Sequence, residues 1–391
     1  MRRILLTAAL LAALTPAAHA QQTRTWGQLK ITLETCFRAS SGTDVGCNVV
    51  VTNTGAQGIR VALNDESAPV TLAAGGVVTP RQVVFGGSSS AYSVTQIVPV
   101  GVSVRAQLNY DVAKSVTTLA ALRVGDAEFR DVPLAKDLPD EPAVNVLGTA
   151  VTSDGNEQLK LGFLDCVRGG PAVTCSFAKT SLVDENLRVR SSSSEGTWLV
   201  NRRGLVRSGT GVTLGGTTSS YTANSVVPAR RSVLNTLTFS LDPADTFVPY
   251  LQIDNYVFRN LPISAQAGAR ALNAPGTLVD SYRLRDYAGK VDACNYVREG
   301  LRCTFTFTNR TDTGYRLKVT PDGNALLTSG GEWYGAESLT ASGTTSSFGV
   351  DVPLPAGQTG TFTVLYAPPP GLITLPSLII AGLEFENVPV K

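Results

Sequence analysis

The feature that most constrains this chain is repetition. Its six cysteines fall into three equivalent pairs, Cys36/Cys47, Cys166/Cys175 and Cys294/Cys303, whose second members stand 128 residues apart in both steps. Each copy then ends on a related phrase: AEFRDVPLA at 127–135, YVFRNLPIS at 256–264 and LEFENVPVK at 383–391. Between these marks the copies share a glycine turn (Gly76, Gly204, Gly331), a Gly-Ser/Thr cluster, a proline (Pro99, Pro228, Pro355) and, eleven residues on, an aromatic (Tyr110, Phe239, Tyr366). So many coincident offsets mean one domain written three times, and roughly 110 residues per copy are enough for each to hold its own core.

The local pattern inside each copy is that of a β-strand. Cys303, Phe305 and Phe307 alternate with Arg302, Thr304, Thr306 and Thr308, the two-residue period of a strand with one buried face. Leu29, Ile31 and Leu33 repeat the pattern in the first copy, as do Leu159, Leu161 and Phe163 in the second. Turn residues punctuate the chain at the spacing of a sandwich of short strands. The expected fold is all-β: three tandem immunoglobulin-like antiparallel β-sandwich domains at 21–138, 139–270 and 271–391. Cys166 is out of phase with Leu159, Leu161 and Phe163, which predicts a bulge or bend before it.

Residues 1–20 read as a signal peptide that is removed: Arg2 and Arg3, the apolar run Ile4–Leu14, and Ala18-His19-Ala20 as the cleavage site. No other stretch is long and apolar enough to span a membrane. The expected location is outside the cytoplasm, either periplasmic, associated with the cell surface or extracellular. Processing would remove His19 and Met1, the single histidine and single methionine. Serine–histidine and cysteine–histidine catalysis and histidine metal sites then fall away, because each needs an imidazole. Losing Arg2 and Arg3 takes the formal charge from +2 to zero, which argues against nonspecific nucleic-acid binding. The chain is read as a non-enzyme with no cofactor and no metal.

In an exported chain, cysteines 9 or 11 residues apart across a polar loop read as disulfides stapling adjacent strands. Each closed loop contributes roughly 2–3 kcal/mol on the chain-entropy model. In the closing phrases Phe129, Phe258 and Phe385 are expected in the core, with the proline ending or edging the last strand. A binding pair at Arg130 and Arg259 is disfavoured because the third copy carries Glu386 there. Gly209, Gly211 and Gly215 miss the phosphate-loop spacing and read as a turn. Asp242 with Asp245, and Asp280 with Asp286, lack the density of a calcium loop. The connection 136–146 is proline-rich and semi-rigid by composition, whereas 264–276 is small-residue and flexible.

The closing F-R-N-[LV]-P phrase, together with a cysteine pair followed by a Thr-Asn step at Thr52-Asn53 and Thr308-Asn309, resembles a family of exported bacterial immunoglobulin-like β-sandwich repeat domains. The second copy departs at this step, with Thr180-Ser181. The likeness implies a fold and brings no activity. The function expected is a noncatalytic secreted or envelope-associated structural or interaction protein, whose partner is an envelope or extracellular protein or a second copy of itself. The second copy alone has surplus positive charge, and Arg202, Arg203, Arg207, Arg230 and Arg231 are its candidate partner-binding residues. The alternative is a carbohydrate- or small-ligand-binding protein contacting a surface glycan, for which Trp198, Trp333 and Tyr334 would serve as exposed aromatics.

Overall fold

The computed structural model describes residues 21–39, 42–138, 140–268, 270–321 and 324–391. The signal-peptide reading, including Arg2, Arg3 and His19, lies outside the described residues. Among the described residues every regular element is a β-strand, and the strands fall into three groups of packed sheets that match the three copies. Among the described residues no helix is long and apolar enough to cross a membrane. By compactness the chain divides into two units, Met1–Val144 with Arg203–Leu205, and Asn145–Arg202 with Val206–Lys391. The second and third copies therefore share one unit.

Each copy is built the same way. Its cysteines sit on two adjacent antiparallel strands, Leu29–Arg38 and Asp44–Asn53, Leu159–Gly169 and Ala172–Ser181, or Tyr287–Val297 and Gly300–Asn309. Cys36 faces Cys47, Cys166 faces Cys175 and Cys294 faces Cys303 in register, and all three pairs are bonded. The six sulfurs lie in buried residues, which fits an oxidising, extracytoplasmic environment. The irregularity expected before Cys166 is a bulge, and the first and third copies have it as well. Register slips between Leu33 and Thr35, Phe163 and Asp165, and Val291 and Ala293, leaving Glu34, Leu164 and Asp292 as the extra residue.

The closing phrase explains itself in three dimensions. Phe129, Phe258 and Phe385 are fully buried. Asp131, Asn260 and Asn387, two residues further on, have φ of 52°, 53° and 52°, a left-handed conformation that Asp and Asn adopt more readily than other side chains. Beyond this kink, after the proline, the last strand changes partner. Ala127–Ala135 pairs antiparallel with Thr118–Val124, and its end then runs parallel to the cysteine strand through Leu134 and Cys36. Ile263 meets Cys166 in the same way. Pro133 and Pro262 sit at this crossing, a short parallel seam in otherwise mainly antiparallel sandwiches.

Three aromatics occupy one core position: Tyr110, Phe239 and Tyr366 are all fully buried. The Tyr110 hydroxyl donates to the Ala68 carbonyl at 2.7 Å, while the Tyr366 hydroxyl has no partner among the described residues. Burial pushes both phenols well above the ordinary tyrosine range. The Thr-Asn step also has a structural role. Asn53 donates to the carbonyls of Gln57 and Val98, and Asn309 donates to those of Thr313 and Leu354, each tying a loop to a neighbouring strand. In the second copy the Ser181 hydroxyl instead makes a short local turn with Val183.

Candidate binding surface

The candidate arginines do not converge on one free patch. The Arg202 guanidinium lies 5.5 Å from the centre of the Phe247 ring. Arg203 belongs to the first unit, whereas Arg202, Arg207, Arg230 and Arg231 belong to the second. Arg207 donates to the Val206 carbonyl at 3.2 Å. Arg230 pairs with Asp184 at 2.7 Å on the exposed surface, where an ion pair adds little stability. Arg231 is mostly buried and pairs with Glu386 at 2.7 Å. The third copy's departure from the F-R-N phrase thus has a physical reason, since Glu386 supplies the partner for Arg231.

Arg105 and Lys179, which sequence reasoning passed over, are among the buried charged residues. Arg105 is 3% exposed and forms a two-pronged pair with Glu34, Nε and Nη2 each 2.8 Å from a carboxylate oxygen. Its remaining donors reach Glu141, the Pro142 carbonyl and the Arg203 carbonyl. Five bonds to one guanidinium are what make burial of the charge tolerable. Lys179 is 2% exposed and donates to the Arg190 carbonyl at 2.9 Å. By register its counterparts are Val51 and Phe307, so a lysine fills an otherwise apolar position. Burial holds the Lys179 ammonium below the usual lysine range, with Asp254 opposing the shift. For Lys179 the available signal was a charge in phase with the inward Cys175 and Phe177; for Arg105, on the face opposite Val104, Ala106 and Leu108, it was a charge within a largely apolar strand.

The aromatic candidates are engaged within the protein. Trp198 packs against Tyr250 with ring centres 5.1 Å apart. Tyr334 donates its hydroxyl to Glu332, and desolvation together with that carboxylate pushes its pKa to about 12. Trp333 seats on the second copy, where its backbone N–H donates to the Gly215 carbonyl at 3.0 Å and its indole N–H to the Val226 carbonyl at 2.8 Å. Leu327, on the preceding strand, is fully buried in the second copy's core cluster.

Around Trp333 the third copy presents a turn to an open edge of the second, the end of strand Ser232–Ser240 that extends past its neighbour Gly211–Leu214. The Leu234 N–H donates to the Gly331 carbonyl at 2.7 Å. A side chain at Gly331 would start 2.6 Å from Leu272 Cδ1 and 2.7 Å from Leu234 N, and φ there is +81°, so only glycine fits. Asn273 completes the joint by bonding both the N–H and the carbonyl of Ser232. The segment 264–276, flexible by composition, is thus pinned at Leu272 and Asn273, because two main-chain bonds to Ser329 and the Asn273 amide fix it. The Gly209–Gly215 segment expected to be a turn includes strand Gly211–Leu214, which leads directly into this contact at Gly215.

Sheet register also revises one equivalence. Thr71 pairs Val77, Val200 pairs Val206 and Leu327 pairs Trp333, which places Gly75 rather than Gly76 opposite Gly204 and Gly331. Their φ values agree at +83°, +78° and +81°. Among the described residues no group of three or more His, Cys, Asp or Glu is placed to hold a metal ion. Compared with known proteins, the chain matches no family model and no curated sequence.

Proposed function

We propose that this is a noncatalytic structural or interaction protein of the cell envelope or extracellular space, working through turns and sheet edges rather than a pocket. The observation that carries this reading is the joint at Gly331 and Trp333. It joins one sandwich to the next by main-chain bonds from a glycine turn to a strand edge, a mode of contact that serves binding between chains equally well. The buried, intramolecular disulfides support an exported location. The resemblance to exported bacterial repeat domains points the same way. The glycan-binding alternative loses support where Trp333 and Tyr334 are already used internally.

Chemical crosslinking of intact source cells, followed by affinity recovery and mass spectrometry, tests this reading. Reproducible crosslinks from sheet-edge or turn peptides to an envelope protein or to a second copy are expected. Recovery of the uncrosslinked chain alone would overturn it.

A further inference from the structure

The joint between the second and third copies has two halves, a turn and an edge, and each half recurs elsewhere in the molecule without its mate. The turn recurs in the first copy. Gly75 donates to the Leu72 carbonyl at 3.0 Å and Leu72 donates to Gly76 at 3.1 Å, matching the Gly331–Thr328 and Thr328–Glu332 bonds of 3.0 and 2.9 Å. Yet the Gly75 carbonyl accepts no hydrogen bond among the described residues, and a side chain built at Gly75 or Gly76 meets nothing within 4 Å. Val77, the counterpart of Trp333, is 66% exposed.

The edge recurs in the third copy. Leu234 pairs with Ala178 one residue before Asn235 meets Leu214; Thr361 pairs with Thr306 one residue before Phe362 meets Ala341. Thr361 is therefore the counterpart of Leu234, but it is exposed where Leu234 is buried. Gly215 corresponds to Ser342, and the two share a left-handed backbone at φ +54° and +49°. Val226 opposes Arg188 as Pro353 opposes Arg316. Where Trp333 sits on the second copy, the third copy has an open groove of about 590 Å³ lined by Arg316, Lys318, Ser342, Phe348 and Pro353. Phe348 at its rim is 89% exposed.

The same two positions are bonded once more inside the first unit. Arg105, the counterpart of Leu234, donates its backbone N–H to the Gly204 carbonyl at 2.9 Å, and both residues belong to that unit. Turn and edge are thus bonded in two places, at Gly204 with Arg105 and at Gly331 with Leu234.

We propose that copies of this protein associate head to tail, the Gly75–Val77 turn of one copy seating on the Thr361 edge and Ser342–Pro353 groove of the next. This rests on the interaction role argued above and names its partner as a second copy. The contact joins two different surfaces, so it propagates into chains unless the geometry closes a ring. It is weaker than the internal joint. The Asn273 clamp belongs to the covalent connection, and the Arg231–Glu386 pair is replaced by Gln358 and Arg130 at the corresponding positions.

Cysteine trapping tests the pairing. A Cβ at Gly215 would lie 2.7 Å from the Trp333 ring, so cysteines at the matching positions 342 and 77 face one another across the proposed contact. Mixing Val77→Cys with Ser342→Cys protein under mild oxidation is expected to give a covalent mixed dimer, and the chain bearing both substitutions a ladder of oligomers. Val77→Asp, at an exposed site, is expected to weaken concentration-dependent association in sedimentation at least tenfold. The proposal fails if correctly folded variants give no mixed dimer, or if Val77→Cys pairs with itself as fast as with Ser342→Cys. A chain that stays monomeric yet crosslinks to a foreign envelope protein in cells would sink self-association while leaving the interaction role standing. A monomer with no crosslinks to any protein would sink both.

Discussion

The turns at Gly75 and Gly331 have the same hydrogen bonds and the same backbone twist, but one is open and the other is seated. The edge positions differ in the matching sense: Leu234 is covered and Thr361 is exposed, while Arg105 carries a buried ion pair. The difference shows that contact context, rather than the internal needs of a sandwich, selects the residue at each of these places. A copy folds with Arg, Leu or Thr at the edge position, and what varies is what lies against it.

That comparison can be strained first at Arg105. Arg105→Leu alone leaves the buried Glu34 carboxylate unpaired and is expected to cost about 3–5 kcal/mol in denaturant unfolding. Adding Glu34→Leu gives the first copy the residues the second already uses, Leu164 and Leu234, and should recover most of the loss. If the double variant is no better than the single one, the copies are less interchangeable than their register implies. Gly331→Ala comes next. It meets Leu234 N and Leu272 and should lower stability by about 2–3 kcal/mol, whereas Gly75→Ala meets open space and should cost about 1–2 kcal/mol from backbone strain alone. Equal losses in thermal melts would count against a seated turn at Gly331.

Smaller effects separate the aromatic layer. Tyr110→Phe removes a satisfied hydroxyl and leaves the Ala68 carbonyl without it, an expected loss of about 1 kcal/mol. Tyr366→Phe removes an unpartnered hydroxyl and should be neutral or stabilising, as Phe239 in the second copy already illustrates. The smallest effect is pH-dependent. The folded-state pKa of Lys179 is lowered from 10.5, so the unfolded chain holds the proton more tightly. The resulting penalty is present in full below the folded pKa and is relieved as pH rises from there through the unfolded value. Wild-type stability relative to Lys179→Met should therefore rise with pH over that interval. The buried tyrosines act in the opposite direction but cancel in the difference, and a flat difference would mean that Lys179 is not held below its usual range.

Much of this fold was legible in the sequence because its repeated marks are set by local physics. Cysteine pairs need facing strands, alternation needs a one-sided core, and Asp131, Asn260 and Asn387 recur because a left-handed kink favours Asp or Asn. The pattern break before Cys166 announced the bulge at Leu164. The contact surfaces were harder to read. Two adjacent glycines made Gly76 as good a match as Gly75 until register distinguished them. Trp333 reads as an exposed aromatic because its partners, Gly215 and Val226, lie over a hundred residues away and contribute only backbone carbonyls, which leave no mark in sequence. Arg105 was visible as a charge in an apolar strand, but its mate Glu34 occupies a bulge that alternation does not locate.

The claim that one turn-and-edge contact is used within the chain and again between chains is tested most directly by amide hydrogen exchange followed as a function of protein concentration. The amide of Leu234 should be protected at every concentration, and those of Thr361 and Val77 should become protected together as concentration rises. Exchange at Thr361 and Val77 that stays fast and unchanged over the full concentration range would contradict it.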